Sequence, residues 1–175
     1  MKDTMLMVAD LMALSACTAP KTLGQDFVRA KVVSGSELDI LADAMDSYGK
    51  EKGLVNYDRD AENIRRSSAM VFLFLEQPEP AGLNCGNCGL DKCPNKNAVG
   101  ENDSVQYQCV WRVLDLGIAL GSAAKTAGML NADNRIMGRP GTVAKKIGMV
   151  QGEMVIGIPI SAASKNIYFD RPEKK

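Results

Sequence analysis

The 175-residue chain contains no histidine. Imidazole is the side-chain group whose ordinary pKa lies nearest neutrality, so its absence excludes histidine acid–base catalysis and histidine metal ligation. It also excludes Ser-His-Asp and Cys-His arrangements for nucleophilic catalysis. Any metal site in this chain must therefore be built from thiolates and carboxylates.

The chain also lacks a net charge, because 21 Lys and Arg residues balance 21 Asp and Glu residues. This balance predicts no nucleic-acid or anionic-membrane partner, and no apolar run approaches the length of a membrane span. The stretch Leu14–Cys17 resembles a lipoprotein cleavage box, but Asp3 and Asp10 interrupt the apolar segment that a signal peptide needs. We therefore expect a cytoplasmic protein.

Four of the five cysteines form one group, separated in turn by two, four and fifteen residues: Cys85, Cys88, Cys93 and Cys109. Four thiolates can hold either a tetrahedral zinc ion or an iron–sulfur cluster. Zinc sites usually pair two Cys-x-x-Cys units, whereas three close ligands with a remote fourth favour a [4Fe-4S] cluster. A structural zinc ion and a group of free cysteines stay open as alternatives. Cys17 is predicted to be a small buried residue and not a ligand.

The residues around the cysteines favour a negatively charged group. Gly86 and Gly89 each follow a cysteine, so the backbone can adopt positive φ there and turn amide groups towards sulfur. Cys109 is predicted to lie in the first turns of a long helix, whose dipole favours negative charge. Lys92 and Arg112 are nearby cations, and each is equally well interpreted as a solvated surface charge.

Two stretches flank the cysteine segment. Residues 69–75 are continuously apolar and rich in β-formers, which predicts a strand that is central in the sheet and covered on both faces. A long helix is predicted to begin at Asp103 or Ser104 and to reach about Met129. The small residues of its second half indicate close packing in the core or in a dimer, in preference to a ligand loop.

Helix and strand patterns alternate along the chain, which predicts an α/β arrangement in two or three layers. We expect a single domain over residues 1–175, with residues 82–109 as a four-cysteine iron–sulfur segment. The last strand, near Met154–Ile160, contains Pro159, which predicts that its end lies at a sheet edge or beyond the ladder.

The segment Gly82–Cys93, with Cys109, resembles the short [4Fe-4S] motif of electron-transfer subunits in ion-pumping redox complexes and of corrinoid iron–sulfur proteins. More of the chain resembles a bacterial and archaeal family of unknown function described as ferredoxin-domain-containing proteins. That resemblance implies an iron–sulfur protein without assigning a reaction. Its matching stretches are residues 18–21, 59–63, 115–119, 125–127, 133–137, 157–160 and 165–167.

A fainter resemblance is to flavin-dependent nitroreductases, through Ala19-Pro20, Gln25, the strand ending at Val33 and its following helix. It implies an α+β fold with a mixed sheet flanked by helices, a homodimer, and flavin mononucleotide (FMN) held near Pro20, Lys21 and Gln25. The family's usual serine and asparagine in this loop are replaced by Lys21 and, near the second position, Gly24.

These observations give one main hypothesis and two alternatives. The main hypothesis is a homodimeric redox protein whose [4Fe-4S] cluster exchanges electrons with a partner redox protein. The first alternative is an interaction protein braced by structural zinc or another metal, and the second is a flavin-dependent oxidoreductase with an accessory cluster. No catalytic residue is identifiable, so whether the protein is an enzyme stays open.

Overall fold

The structure is a computed structural model that describes residues 2–94 and 108–169. In these residues the helices are α1 (Lys2–Thr18), α2 (Ser36–Lys52), α3 (Tyr57–Arg65), α4 (Val110–Met129) and α5 (Gly138–Lys146). The strands are β1 (Val28–Ser34), β2 (Ala69–Leu75), β3 (Asp133–Asn134) and β4 (Val155–Ser161). A short 3₁₀ turn, Thr22–Gly24, precedes β1.

The four strands form one sheet in the order β1-β2-β4-β3. β2 pairs with β1 and β4 on either side, so its predicted central position is confirmed. The α+β class is also confirmed. Within that class, every described pairing is antiparallel, where a mixed sheet was expected.

The sheet lies between two layers of helices because successive side chains of β2 point to opposite faces. Val71 and Leu73 pack with α1 and α4 in one apolar cluster, and Met70 and Phe72 pack with α2, α3 and α5 in another. All seven residues of β2 are buried. The continuous apolar run in the sequence therefore corresponds to a strand that is covered on both faces, in a three-layer arrangement.

Pro159 does not lie at a sheet edge, so that prediction is wrong. It is in β4 opposite Met70, with β2 on one side and β3 on the other. The ladder with β3 ends at Asn134 and pairing resumes only as an isolated bridge at Met137. The proline, which has no N–H to donate, thus occupies the part of β4 where the pairing with β3 is interrupted.

Helix α4 begins later than predicted. The expected capping residues, Asp103 and Ser104, lie outside the described residues, but residues 108 and 109 are not helical and Cys109 is the N-cap. The end of the helix at Met129 is as predicted.

The buried face of α4 carries alanines at helical spacing, including Ala119, Ala123 and Ala127, and packs on α1. The small residues of α4 therefore do form a tight core contact. Gly117 and Gly121 lie instead on the outer face, with open space around the position of an added Cβ. In the part of the chain that the structure describes, no helix has the length and apolar character needed to cross a membrane.

Candidate iron–sulfur site

The cysteine loop, defined here as residues 82–94, follows directly after β2 and the turn that ends it. Two hydrogen bonds close this loop on itself. The Asn84 amide donates to the Cys93 sulfur at 3.3 Å, and the Cys93 amide donates to the Asn84 side-chain oxygen at 2.8 Å. Asn84 adopts a left-handed φ of 48°, which asparagine tolerates better than most residues. The loop thereby presents Cys85 and Cys88 between two fixed ends.

Both predicted glycine conformations are confirmed. Gly86 has a φ of 71° and Gly89 a φ of 87°, and the Gly89 amide donates to the Gly86 carbonyl at 2.9 Å. An L-residue with a Cβ would be strained at either position. The tight turn between Cys85 and Cys88 therefore depends on these glycines.

Cys109 is the N-cap residue of α4 and is 7% exposed. Its carbonyl accepts hydrogen bonds from the amides of Arg112 and Val113. The preceding Gln108 donates from its side chain to Glu153 at 2.7 Å, and the Glu153 amide in turn bonds to the carbonyl at the end of β2. The end of the central strand and the start of α4 are thus linked through Glu153, two residues before β4.

Trp111 connects the cysteine loop to α4. Its indole N–H donates to the Cys85 sulfur across 3.1 Å, so Cys85 lies beside the first turn of the helix that Cys109 caps. Hydrogen bonds from the backbone of Asn87 and from the Trp111 indole lower the pKa of the Cys85 thiol, because both stabilise the thiolate.

The donor set matches the chemistry of an iron–sulfur cluster. Four thiols come from two adjacent segments, and thiolates are the usual ligands of such clusters. Cys85 is exposed, Cys88 and Cys93 are half-buried and Cys109 is buried. In the described residues, no three Cys, Asp or Glu side chains converge closely enough to hold a metal ion. The four thiols would therefore have to move closer together to share one cluster.

One prediction and one of two alternative interpretations about neighbouring residues are wrong. Cys17 is exposed, not buried, because it lies off the apolar face of α1. Arg112 is not a solvated surface charge, since its side chain is 1% exposed. Lys92 is exposed, as its interpretation as a surface charge predicts.

The residues predicted to hold flavin are engaged within the protein or turned to solvent. The Lys21 ammonium group donates to the carbonyls of Ala16, Cys17 and Ala19 at 3.0, 3.1 and 2.7 Å, so it caps the end of α1. The Gln25 side-chain oxygen accepts a hydrogen bond from Arg112. Pro20 is exposed. In this conformation the Lys21 ammonium group and the Gln25 side-chain oxygen are already hydrogen-bonded within the chain, so FMN would have to displace these bonds to use them.

Three features of the site were missed from sequence alone: Asn84, Trp111 and the buried pair Arg112–Asp115. The role of Asn84 could have been predicted from the motif Leu-Asn-Cys, since asparagine commonly bonds to nearby backbone and adopts positive φ. Trp111 is the single tryptophan of the chain and lies two residues after a predicted ligand. No local pattern identifies the buried pair, because its partners are about ninety residues away.

Comparison with known sequences identifies the family. The sequence profile of a family described as uncharacterised proteins containing a ferredoxin domain (DUF2148) matches residues 106–171. A protein of Archaeoglobus fulgidus, described only as uncharacterised, is 42% identical over 168 residues, which cover 94% of this chain and 90% of the relative. The chain belongs to this family of ferredoxin-domain proteins. The profile match includes Cys109 but begins after the other three cysteines of the group.

Solved structures similar to this chain include nitroreductases. One is the FMN-dependent nitroreductase NfnB of Mycobacterium smegmatis, in complex with NADPH, with a TM-score of 0.60 and 13% identity over 97% of this chain and 84% of that chain. Another is a nitroreductase with bound FMN from Desulfitobacterium hafniense, with a TM-score of 0.58 and 15% identity over 91% of this chain and 78% of that one. At such identities the likeness establishes the fold, which is nitroreductase-like. The family and the fold together indicate a redox function.

Proposed function

We propose that Cys85, Cys88, Cys93 and Cys109 hold one [4Fe-4S] cluster and that the protein transfers single electrons to and from a partner redox protein. The observation that carries the proposal is the hydrogen bond between Trp111 and Cys85. It places the loop with three of the thiols beside the helix end that bears the fourth. A cluster held there supplies reversible one-electron transfer.

The surrounding groups favour a negatively charged centre. Cys109 is the N-cap residue of α4, so the positive end of the helix dipole lies at this proposed ligand. In the cysteine loop, the Asn84 amide donates to the Cys93 sulfur and the Asn87 backbone donates to the Cys85 sulfur, and the Trp111 indole N–H donates to Cys85 as well. These donors would stabilise the cluster and tune its reduction potential. The exposed position of Cys85 suits electron exchange with a partner.

Cofactor analysis of anaerobically purified protein tests the proposal. We expect close to four irons and four sulfides per chain, together with visible absorbance that bleaches on reduction. Reduction with dithionite should generate an electron paramagnetic resonance signal. One zinc per chain in a colourless protein would overturn the proposal in favour of a structural metal, and an intact cluster that cannot be reduced would remove electron transfer.

A flavin oxidoreductase is the second candidate, favoured by the fold neighbours whose structures contain FMN. Against it, the Lys21 and Gln25 side chains are occupied by contacts within the chain. Fluorescence of the supernatant after denaturation measures bound flavin. We expect none after incubation with FMN, and one FMN per chain would restore this candidate.

We also propose that the protein is a cytoplasmic homodimer. Clustered thiols suit a reducing compartment. The outer faces of α1 and α4 carry exposed apolar residues, and Leu14 and Met129 line a groove of about 380 Å³ between these helices. A contiguous apolar surface of this kind is typical of an interface. Light scattering should show that Leu14→Glu converts dimer to monomer, whereas Val55→Glu, at an exposed apolar residue on the other layer, leaves the dimer intact.

A further inference from the structure

Arg112 is a buried arginine that joins three separate segments of the chain. Its guanidinium group donates to the carbonyl of Glu79 at 2.8 Å and to the carbonyl of Thr22 at 3.1 Å. It also donates to the side-chain oxygen of Gln25 and lies 4.7 Å from the centre of the Phe27 ring. With 1% of the side chain exposed, this charge is withdrawn from water.

Asp115 balances that charge. One carboxylate oxygen accepts from Arg112 at 3.3 Å, and the other accepts from both the amide and the hydroxyl of Thr22 at 2.8 Å each. The Asp115 side chain is also buried, with 4% exposed. The 3₁₀ turn, helix α4 and the stretch leading into the cysteine loop are therefore fixed to one another by a single neutral ion pair.

The pair is well placed to act on the cysteine site. Arg112 follows Cys109 by three residues, so the two lie on the same face of α4, about one turn apart. Glu79 lies six residues before Cys85. The hydrogen bond from Arg112 to Glu79 thus fixes where the cysteine loop departs from the sheet relative to the helix end that carries Cys109.

We propose that Arg112 and Asp115 are positioning residues for the cluster: they hold Cys109 and the cysteine loop in register and keep the charge beside the cluster balanced. This inference rests on the proposed function. We call the Arg112–Asp115 pair with its hydrogen bonds the brace. In this proposal Thr22 and Gln25 bind the end of the brace that is remote from the cysteines, which is a role different from flavin binding.

Asp115→Asn in the cluster-loaded protein tests the inference. An asparagine keeps the shape but leaves the positive charge of Arg112 uncompensated, one turn from a cluster that gains an electron on reduction. The reduction potential should therefore shift to more positive values, because net charge near a cluster sets its potential. The midpoint temperature of unfolding should also fall, since a buried charge has lost its partner.

The chain offers a matched control in Asp60, a buried carboxylate that accepts from Arg59 and Arg139 on α3 and α5, across the sheet. Asp60→Asn should lower the midpoint temperature and leave the reduction potential unchanged. Arg112→Lys is the second variant. It keeps the positive charge but cannot make all the hydrogen bonds of the guanidinium group, so iron per folded chain should fall.

An Asp115→Asn protein with wild-type potential and wild-type iron content would overturn the inference while leaving the proposed function in place. If the wild-type chain takes up no cluster, the proposed function fails, and the brace is judged in the metal-free protein. There Asp115→Asn should shift the emission of Trp111, the single tryptophan, whereas Asp60→Asn should not. An unshifted emission would overturn the brace on its own.

Discussion

The indole nitrogen of Trp111 lies 3.1 Å from the sulfur of Cys85, although the two residues are 26 positions apart in the chain. This contact joins the loop after the central strand to the first turn of α4. The hydrogen bond from Arg112 to the Glu79 carbonyl ties α4 to the stretch that leads into this loop, and the bonds between Asn84 and Cys93 close the loop on itself. The site therefore consists of the cysteine loop and the first turn of α4 in fixed contact, and the role of each contacting residue can be tested by substitution.

Trp111→Phe should lower the reduction potential of the bound cluster. The ring is kept, but the N–H that stabilises the extra electron density on sulfur is lost. A redox titration followed by electron paramagnetic resonance measures the shift. In the wild-type protein, loading the cluster should also quench tryptophan emission, and an unchanged potential together with unquenched emission would contradict the contact.

Alanine substitution should separate the four proposed ligands from the fifth cysteine. We expect Cys85→Ala, Cys88→Ala, Cys93→Ala and Cys109→Ala each to lose most of the bound iron, since four thiolates are the usual ligand set. Cys17→Ala serves as the control, because this exposed residue lies at the end of α1 and outside the cysteine loop. Iron per chain and visible absorbance are the measurements. Loss of iron in the Cys17 variant, or retention in any of the other four, would redefine the ligand set.

Sequence reasoning succeeded where the signal is local. The bounds of β2 were predicted to the residue because its apolar run is uninterrupted and polar residues with Pro78 and Pro80 follow it. The backbone of Gly86 and Gly89 was predicted because a tight cysteine turn needs positive φ. The burial of Arg112 was not predictable, because its partners Thr22 and Gln25 meet it only once α1, the 3₁₀ turn and α4 are packed. Charged residues are mostly exposed in folded proteins, so sequence alone predicts exposure for an arginine whose distant partners are unknown.

Gly141→Ala should strongly destabilise the protein. An added Cβ would lie 1.8 Å from the Val155 carbonyl oxygen, so helix α5 and strand β4 would have to move apart. Overpacking against backbone should cost about 3 kcal/mol or more. Urea unfolding measures the loss.

Gly138→Ala is the matched control on the same helix, because its added Cβ would meet only the Ile156 side chain at 4.0 Å. We expect its free energy of unfolding to stay within about 1 kcal/mol of wild type, given the usual difference between glycine and alanine in helices. Equal stabilities for the two variants would contradict the close packing of α5 on β4.

Tyr168 should make the stability depend on pH in the alkaline range. Burial raises the pKa of its hydroxyl from 10.0 to about 12, an effect that the hydrogen bond with Ser67 partly offsets. Because the folded pKa is the higher one, the stabilisation is fully present below pH 10 and is lost as the pH rises to about 12. A shift of this size corresponds to about 2–3 kcal/mol of unfolding free energy.

Tyr168→Phe isolates this contribution, since phenylalanine has no group that titrates. At pH 8 the variant should be less stable than wild type by about 1 kcal/mol, because the bond to Ser67 is lost. The Ser67 hydroxyl keeps its bond to the Asn63 carbonyl at 2.7 Å, so no buried donor is left without a partner. Between pH 10 and 12 the wild-type stability should fall more steeply than that of the variant, and the difference should disappear or reverse sign. Parallel curves from urea unfolding across this range would show that the Tyr168 hydroxyl ionises as readily in the folded chain as in the unfolded one.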